Sequence, residues 1–378
     1  MKNLWRTKTF REFLRVLLAL SIGLGLGFVI TILVSKDPIG NYRNFLFGPL
    51  SQLNRIGDWL EESTTLVFLG LAVAIVFTAR QFYIGVEGQM VLGAFVAGTI
   101  VLYAPFPPLL RVIAAFIGAS LMGMIWGVIP AVIKAYLNAS ELVSSLMMNT
   151  IALRMFDYLV STYLQQPRVA GIMSELFPKE VRLPSFIPNL PFLANVRMLW
   201  ERQTSVSVMV YVAIAAVIVV YWLLYKTPFG YELRMVGSNS KFARYGGINV
   251  KRIIMLSITV SGIFAGLAGV HVALAITHRI VQNMSAGLGF EGVNIAILSF
   301  NNPAIVPFAS LLYGYLRAGA DVMERSGDVS RELVMIVQAA VLLLITAERL
   351  LPVIQQRVTT DEDEEGQVVH EKGVKNVA

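Results

Sequence analysis

Long apolar runs separated by short polar ones dominate the chain, and they are too long for strands and too uniformly apolar for one-faced helices. Crossing roughly 30 Å of hydrocarbon takes about 20 apolar residues in a helix. Ten stretches approach that length: 14–34, 63–79, 87–104, 110–133, 141–163, 206–225, 253–276, 288–299, 304–321 and 333–352. The pattern predicts an all-α polytopic membrane protein with about ten transmembrane helices. The first stretch follows Lys2, Arg6, Lys8, Arg11 and Arg15. It is longer than the apolar core of a secretory leader and has no small-residue cleavage site after it, so it reads as a retained span.

Composition sharpens this reading. Of 378 residues, 56% are hydrophobic and only 15% are charged, whereas a soluble domain is about 25% charged. Too few charges remain to coat a globule in water. The net charge is +7, and the tail 355–378 holds an acidic run at 361–365 that is expected to be solvated and disordered. The body 1–354 is therefore the more basic part, which suits an anionic leaflet and not nucleic acid. There is no cysteine, which excludes thiolate metal sites and cysteine nucleophiles. The three histidines, His271, His278 and His370, form no ligand cluster in sequence, and no metal site is expected. No G-x-x-x-x-G-K-[ST], H-E-x-x-H or G-x-S-x-G string is present, so the chain should hold no ATP site and no catalytic site of its own. If it works as a pump, its energy arrives through another polypeptide.

The basic amino terminus and an even number of spans predict that both termini are cytoplasmic. The longer outside loops are then 35–62 and 164–205. The second holds Pro167, Pro178, Pro184, Pro188 and Pro191 and is predicted to be ordered without regular helix. Without the first span, the chain divides into four-span halves, about 63–163 and 253–352, inserted with opposite polarity. That is the pattern of an inverted repeat. Gly85-Val86-Glu87-Gly88-Gln89 and Gly289-Phe290-Glu291-Gly292-Val293-Asn294 occupy matching places, and Glu141-Leu142-Val143 and Glu332-Leu333-Val334 open the last span of each half. Short or glycine-broken spans in matching positions point to a translocation path.

Glu87 and Glu291 need a physical reason, since a carboxylate in hydrocarbon costs at least about 2.5–3.5 kcal/mol. They either line a polar route or cap helix starts, where the amino-terminal dipole favours negative charge. Asn149 lies mid-span and either clasps a neighbouring helix or faces solute, and Ser145, Gln89 and Asn294 are similar candidates. Gln338 and His271 read as interhelical clasps. Arg154 with Asp157, and Arg317 with Asp321, are spaced to neutralise each other within one helix. Gly262, Ala265, Gly266, Ala268 and Gly269 should let helices approach closely.

Segment 226–252 is the basic inside loop. Ser238, Asn239 or Ser240 can cap a helix, and Gly246-Gly247 can close it. About two turns fit between them, too short to be stable alone in water. Such a helix suits docking onto something else, with Lys241 and Arg244 on one side and Phe242 and Tyr245 alongside. The other reading is an ordinary basic loop that holds topology.

The string from Phe82 to Ala94, Phe-Tyr-Ile-Gly-Val-Glu-Gly-Gln-Met-Val-Leu-Gly-Ala, resembles the F-N-I-G-x-E-G-Q-x-x-x-G-A signature of ABC importer permeases for simple sugars and nucleosides. Tyr83 stands where that family usually has asparagine. Residues 141–152 are similar to the family's E-V-I-x-T-x-M-x-N-x-I-A, residues 237–248 to its cytoplasmic G-x-N-x-x-A-A-x-Y-x-G-I, and residues 289–296 to its G-F-x-G-I-A-V-A. The long outer loop and the Glu141/Asn149 motif are most like guanosine and general nucleoside permeases. The resemblance implies a type II importer permease in the cell membrane, working with a second permease, cytoplasmic ATPases that carry the ATP and magnesium, and an extracytoplasmic binding lipoprotein. It also implies that Ser238 to Gly247 is the coupling helix. The competing class is an ion- or proton-coupled secondary carrier, which the scarcity of intramembrane acids disfavours.

Overall fold

The computed structural model describes residues 35–167, 171–187 and 194–326, with scattered positions on either side of them. Most of the first predicted span, the last one, Glu332, Gln338 and the tail lie outside the described residues. The described chain is all-α, with isolated bridges in place of strands. It divides into two compact units, 49–318 and a smaller one formed by 1–48 with 319–378.

In the smaller unit, α1 (Pro38–Phe47) starts at Asp37, whose carboxylate accepts the Gly40 N–H at 3.0 Å. The larger unit contains α2 (Leu53–Thr78), α3 (Val86–Tyr103), α4 (Pro108–Leu137), α5 (Glu141–Leu159), α6 (Ala194–Gln203), α7 (Met209–Lys226), α8 (Pro228–Ser238), α9 (Ser240–Tyr245), α10 (Val250–Val270) and α11 (Leu288–Leu298). It also holds the first part of α12 (Val306–Ser326). A π-helical turn, 160–164, continues α5, and another, 271–277, continues α10.

Five of these are long and apolar enough to cross a membrane: α2, α3, α4, α7 and the continuous stretch Val250–Thr277. α11 is apolar but short. α5 and α12 form where spans are predicted, but Glu141, Arg154 and Asp157 in the one, and Arg317, Asp321, Glu324 and Arg325 in the other, make them more polar than the five. The loop 164–205 also departs from expectation, because α6 gives it ten residues of regular helix.

Burial sorts the spans into layers. α2 is enclosed over most of its length, whereas α4 and α7 leave most of their apolar surface exposed, as lipid-facing helices do. α2 lies along α11, and α10 along α3. α10 also packs along α4, where small residues set the distance. A methyl group on Gly262 would strike the Gly123 carbonyl, and one on Gly266 the Ala119 carbonyl. The small-residue run at 262–269 is thus a close-packing face, as the sequence predicts.

Candidate functional site

Two non-helical breaks interrupt the membrane helices, and bare backbone there must be satisfied by protein. The first break follows α2. Arg80 adopts a left-handed conformation (φ 53°), and α3 resumes after Gly85. One face of α5 serves this break. Glu141, Ser145 and Asn149, spaced four apart, stack along it: the Glu141 carboxylate accepts the Phe82 N–H at 3.4 Å and Ser145 Oγ accepts the Ile84 N–H at 3.3 Å. Asn149 does the most. Its Nδ2 donates to the Ile84 carbonyl and its Oδ1 accepts the Gly88 N–H, both at 2.9 Å. Lys134 holds Glu141 from the other side at 2.6 Å.

Gln89 is enclosed completely. Its Nε2 donates to the Ile258 carbonyl at 3.2 Å, and its Oε1 accepts from Ser261 Oγ at 3.4 Å. Tyr83, 1% exposed, packs against Gly85, where any β-carbon would collide with the phenol. A bulky residue at 83 therefore requires glycine at 85.

The second break, between the end of the π-helical turn and α11, is served differently. Residues 172–177 of the loop 164–205 run alongside it as an extended segment. The Ser174 N–H donates to the Ile280 carbonyl at 2.8 Å, Phe177 N–H to the His278 carbonyl at 2.9 Å, and Gln282 N–H to the Ile172 carbonyl at 2.9 Å. At its far end Glu87, reaching over from α3, accepts the N–H of Gly287 at 3.1 Å and that of Gly289 at 2.5 Å. Glu87 is 1% exposed. It caps a helix start, but α11's rather than that of its own helix, and the amino-terminal partial charge of α11 favours the carboxylate there.

Glu291 has a different environment. Half-buried, it pairs with Arg317, which also reaches Glu62 at 3.3 Å. Asn294, on the exposed face of α11 with Phe290, donates to the Tyr313 hydroxyl at 3.5 Å. Of the six predicted pathway residues, the structure gathers Ser145, Asn149 and Gln89 around the first break. Glu87 bridges to the second, and Glu291 with Asn294 lie apart on a more open face. Arg317 turns to Glu62 and Glu291, and among the described residues no ion pair joins Arg154 to Asp157. Arg317, Glu62 and Tyr313 are the site residues that sequence reasoning missed. A lone arginine in an apolar span was the signal for them, and local spacing assigned it to the nearest acid. His271 clasps α2, with Nε2 3.4 Å from the Glu61 carbonyl oxygen.

Beyond α7, each turn of the chain is capped as its sequence dictates. Thr227 accepts the Gly230 N–H, Asn239 accepts the Lys241 and Phe242 N–H groups, and Asn249 accepts the Arg252 N–H. Asn239 is thus the cap of α9, with Ser238 closing α8 before it and Ser240 opening the helix. Gly246 ends α9, and Gly247 takes a positive φ of 83°. Gly237 lies so close to the Thr78 carbonyl that no side chain fits, which pins this segment to the end of α2. Within α9 Ala243 is buried, while Phe242 and Tyr245 project, 62% and 92% exposed. Lys241 and Arg244 turn instead toward a groove bordered by the ends of α4 and α10.

Comparison with known proteins agrees with this architecture. A guanosine ABC transporter permease protein of Bacillus subtilis, NupP, is 30% identical over 90% of this chain and 94% of its own length. A nucleoside ABC transporter permease protein of Lactococcus lactis, NupB, is 29% identical over 91% and 93%, and a glucose ABC transporter permease protein of Haloferax volcanii, TsgB13, is 29% identical over 89% and 86%. Residues 55–346 match the family described as branched-chain amino acid transport system / permease component. The chain belongs to that family of membrane-embedded transport permeases.

Proposed function

We propose that this chain is the permease subunit of an ATP-driven ABC importer, passing a nucleoside or a related sugar through the cell membrane. A separate ATPase, which carries the ATP and magnesium, docks on the helix within 237–247. A second permease subunit, identical or homologous, completes the path, and an extracytoplasmic binding lipoprotein delivers the solute. Both termini and α9 face the cytoplasm, and the outer loop with the second break faces the exterior. The reciprocal packing of α2 on α11 and of α10 on α3 supports two inverted halves. Among the six polar candidates, we take Glu291 and Asn294 as those that meet solute, since Glu87, Gln89, Ser145 and Asn149 are buried and bonded to backbone.

The observation that carries this reading is α9 itself. Six residues cannot hold a helix unaided, yet this one is capped at both ends, fixed to α2 through Gly237, and presents two bare aromatic side chains. That geometry fits a rigid knob for a partner's groove. The test is to replace Phe242 and Tyr245 together by aspartate in the reconstituted complex. Solute-stimulated ATP hydrolysis and uptake should both fall at least ten-fold while the chain still folds. Normal uptake by that variant overturns the reading, and uptake abolished by a protonophore at constant ATP would select the secondary carrier.

A further inference from the structure

The groove behind α9 has a character of its own. It encloses about 560 Å³ and is lined by Lys134, Lys241, Arg244 and Lys251 with Asn138 and Ser240, and by no acidic side chain. Lys134 is neutralised by Glu141 at 2.6 Å. Lys241 and Arg244 form no ion pair with any described residue, and Lys251 lies over the Tyr136 ring at 5.4 Å. The groove borders the end of α4 at Lys134, Ala135 and Asn138, and that helix exposes Ile125, Ile129, Val132 and Tyr136 along one face. Three cations without an anion thus sit at the head of a lipid-facing track.

We propose that this groove binds the phosphate of an anionic phospholipid, with its acyl chain lying along the α4 stripe. Basic pockets between membrane helices at a cytoplasmic boundary recognise such headgroups. The apolar track selects a lipid over free phosphate, because only a lipid fills both parts. The lipid would tie α9 to α4 and α10, so the two faces of this short helix divide their work: aromatics toward a protein partner, cations toward the bilayer.

The binding is read on the purified full-length chain alone, so its outcome is independent of the ATPase reading. Native mass spectrometry with phosphatidylglycerol and phosphatidylcholine of matched acyl chains gives a retention ratio. The wild type should retain phosphatidylglycerol in clear preference. Lys251→Gln should lower the ratio about five-fold, the effect of about one cation at an anionic surface, Lys241→Gln/Lys251→Gln should lower it further, and Lys251→Arg should keep it. Thermal melting of each variant identifies any that fail to fold, and Lys241→Gln alone then reads the same site. Equal retention of the two lipids by the wild type, or an unchanged ratio in the folded variants, overturns the proposal. Displacement of the lipid by excess inorganic phosphate also overturns it, assigning the groove to a free anion.

Discussion

The two breaks carry nearly the same short sequence, Gly85-Val86-Glu87-Gly88 and Gly289-Phe290-Glu291-Gly292, yet they are held in different ways. At the first, three side chains from a single helix bond the backbone of the break, and two of them, Ser145 and Asn149, are buried. At the second, another stretch of backbone pairs with it, and a carboxylate from α3 closes the helix start. Glu87 consequently faces inward and bonds N–H groups, whereas Glu291 faces a half-open surface and needs an arginine. A matching short motif therefore does not guarantee a matching role. What decides is whether the neighbours present donors, as they do to Glu87, or a cation, as Arg317 does to Glu291.

Three substitutions test that contrast. Glu87→Ala should be the most damaging, since it removes two charge-assisted bonds and strands two N–H groups at the start of α11. A loss of about 3–5 kcal/mol is expected, read as a large fall in the melting temperature of the purified chain, and Glu87→Gln should recover part of it. Asn149→Ala strands the Ile84 carbonyl and the Gly88 N–H and should cost about 2–4 kcal/mol, with protease cleavage appearing first around 80–88. A melting temperature equal to that of the wild type in either case would show that the breaks are not held as described. Asn294→Ala should change stability by less than about 0.5 kcal/mol, as an exposed substitution does, while uptake of the preferred solute falls. Unchanged uptake would remove this face of α11 from the solute path.

Part of this was legible in advance. Glu141, Ser145 and Asn149 stand four residues apart, so one helical face was readable from the string, and so was the division of α9 by Asn239 and Gly246-Gly247. The targets of those side chains were not readable, because the bonds run to backbone atoms some 60 residues away, and a main-chain N–H has no signature in sequence. The pairing of 172–177 with 278–282 was hidden for the same reason. Arg317 illustrates a different failure: local spacing offered Asp321, but Glu62 and Glu291 supply carboxylates from two other helices.

The sequence by itself determined that this protein lives in a membrane, that its helices pack through small residues, and where α9 is capped. These depend on composition and on interactions within a few residues of each other. Only the tertiary structure decided which acid is buried, which is ion-paired and which face of α9 is basic. Those outcomes depend on what a distant segment brings to within about 3 Å, the range over which a hydrogen bond acts.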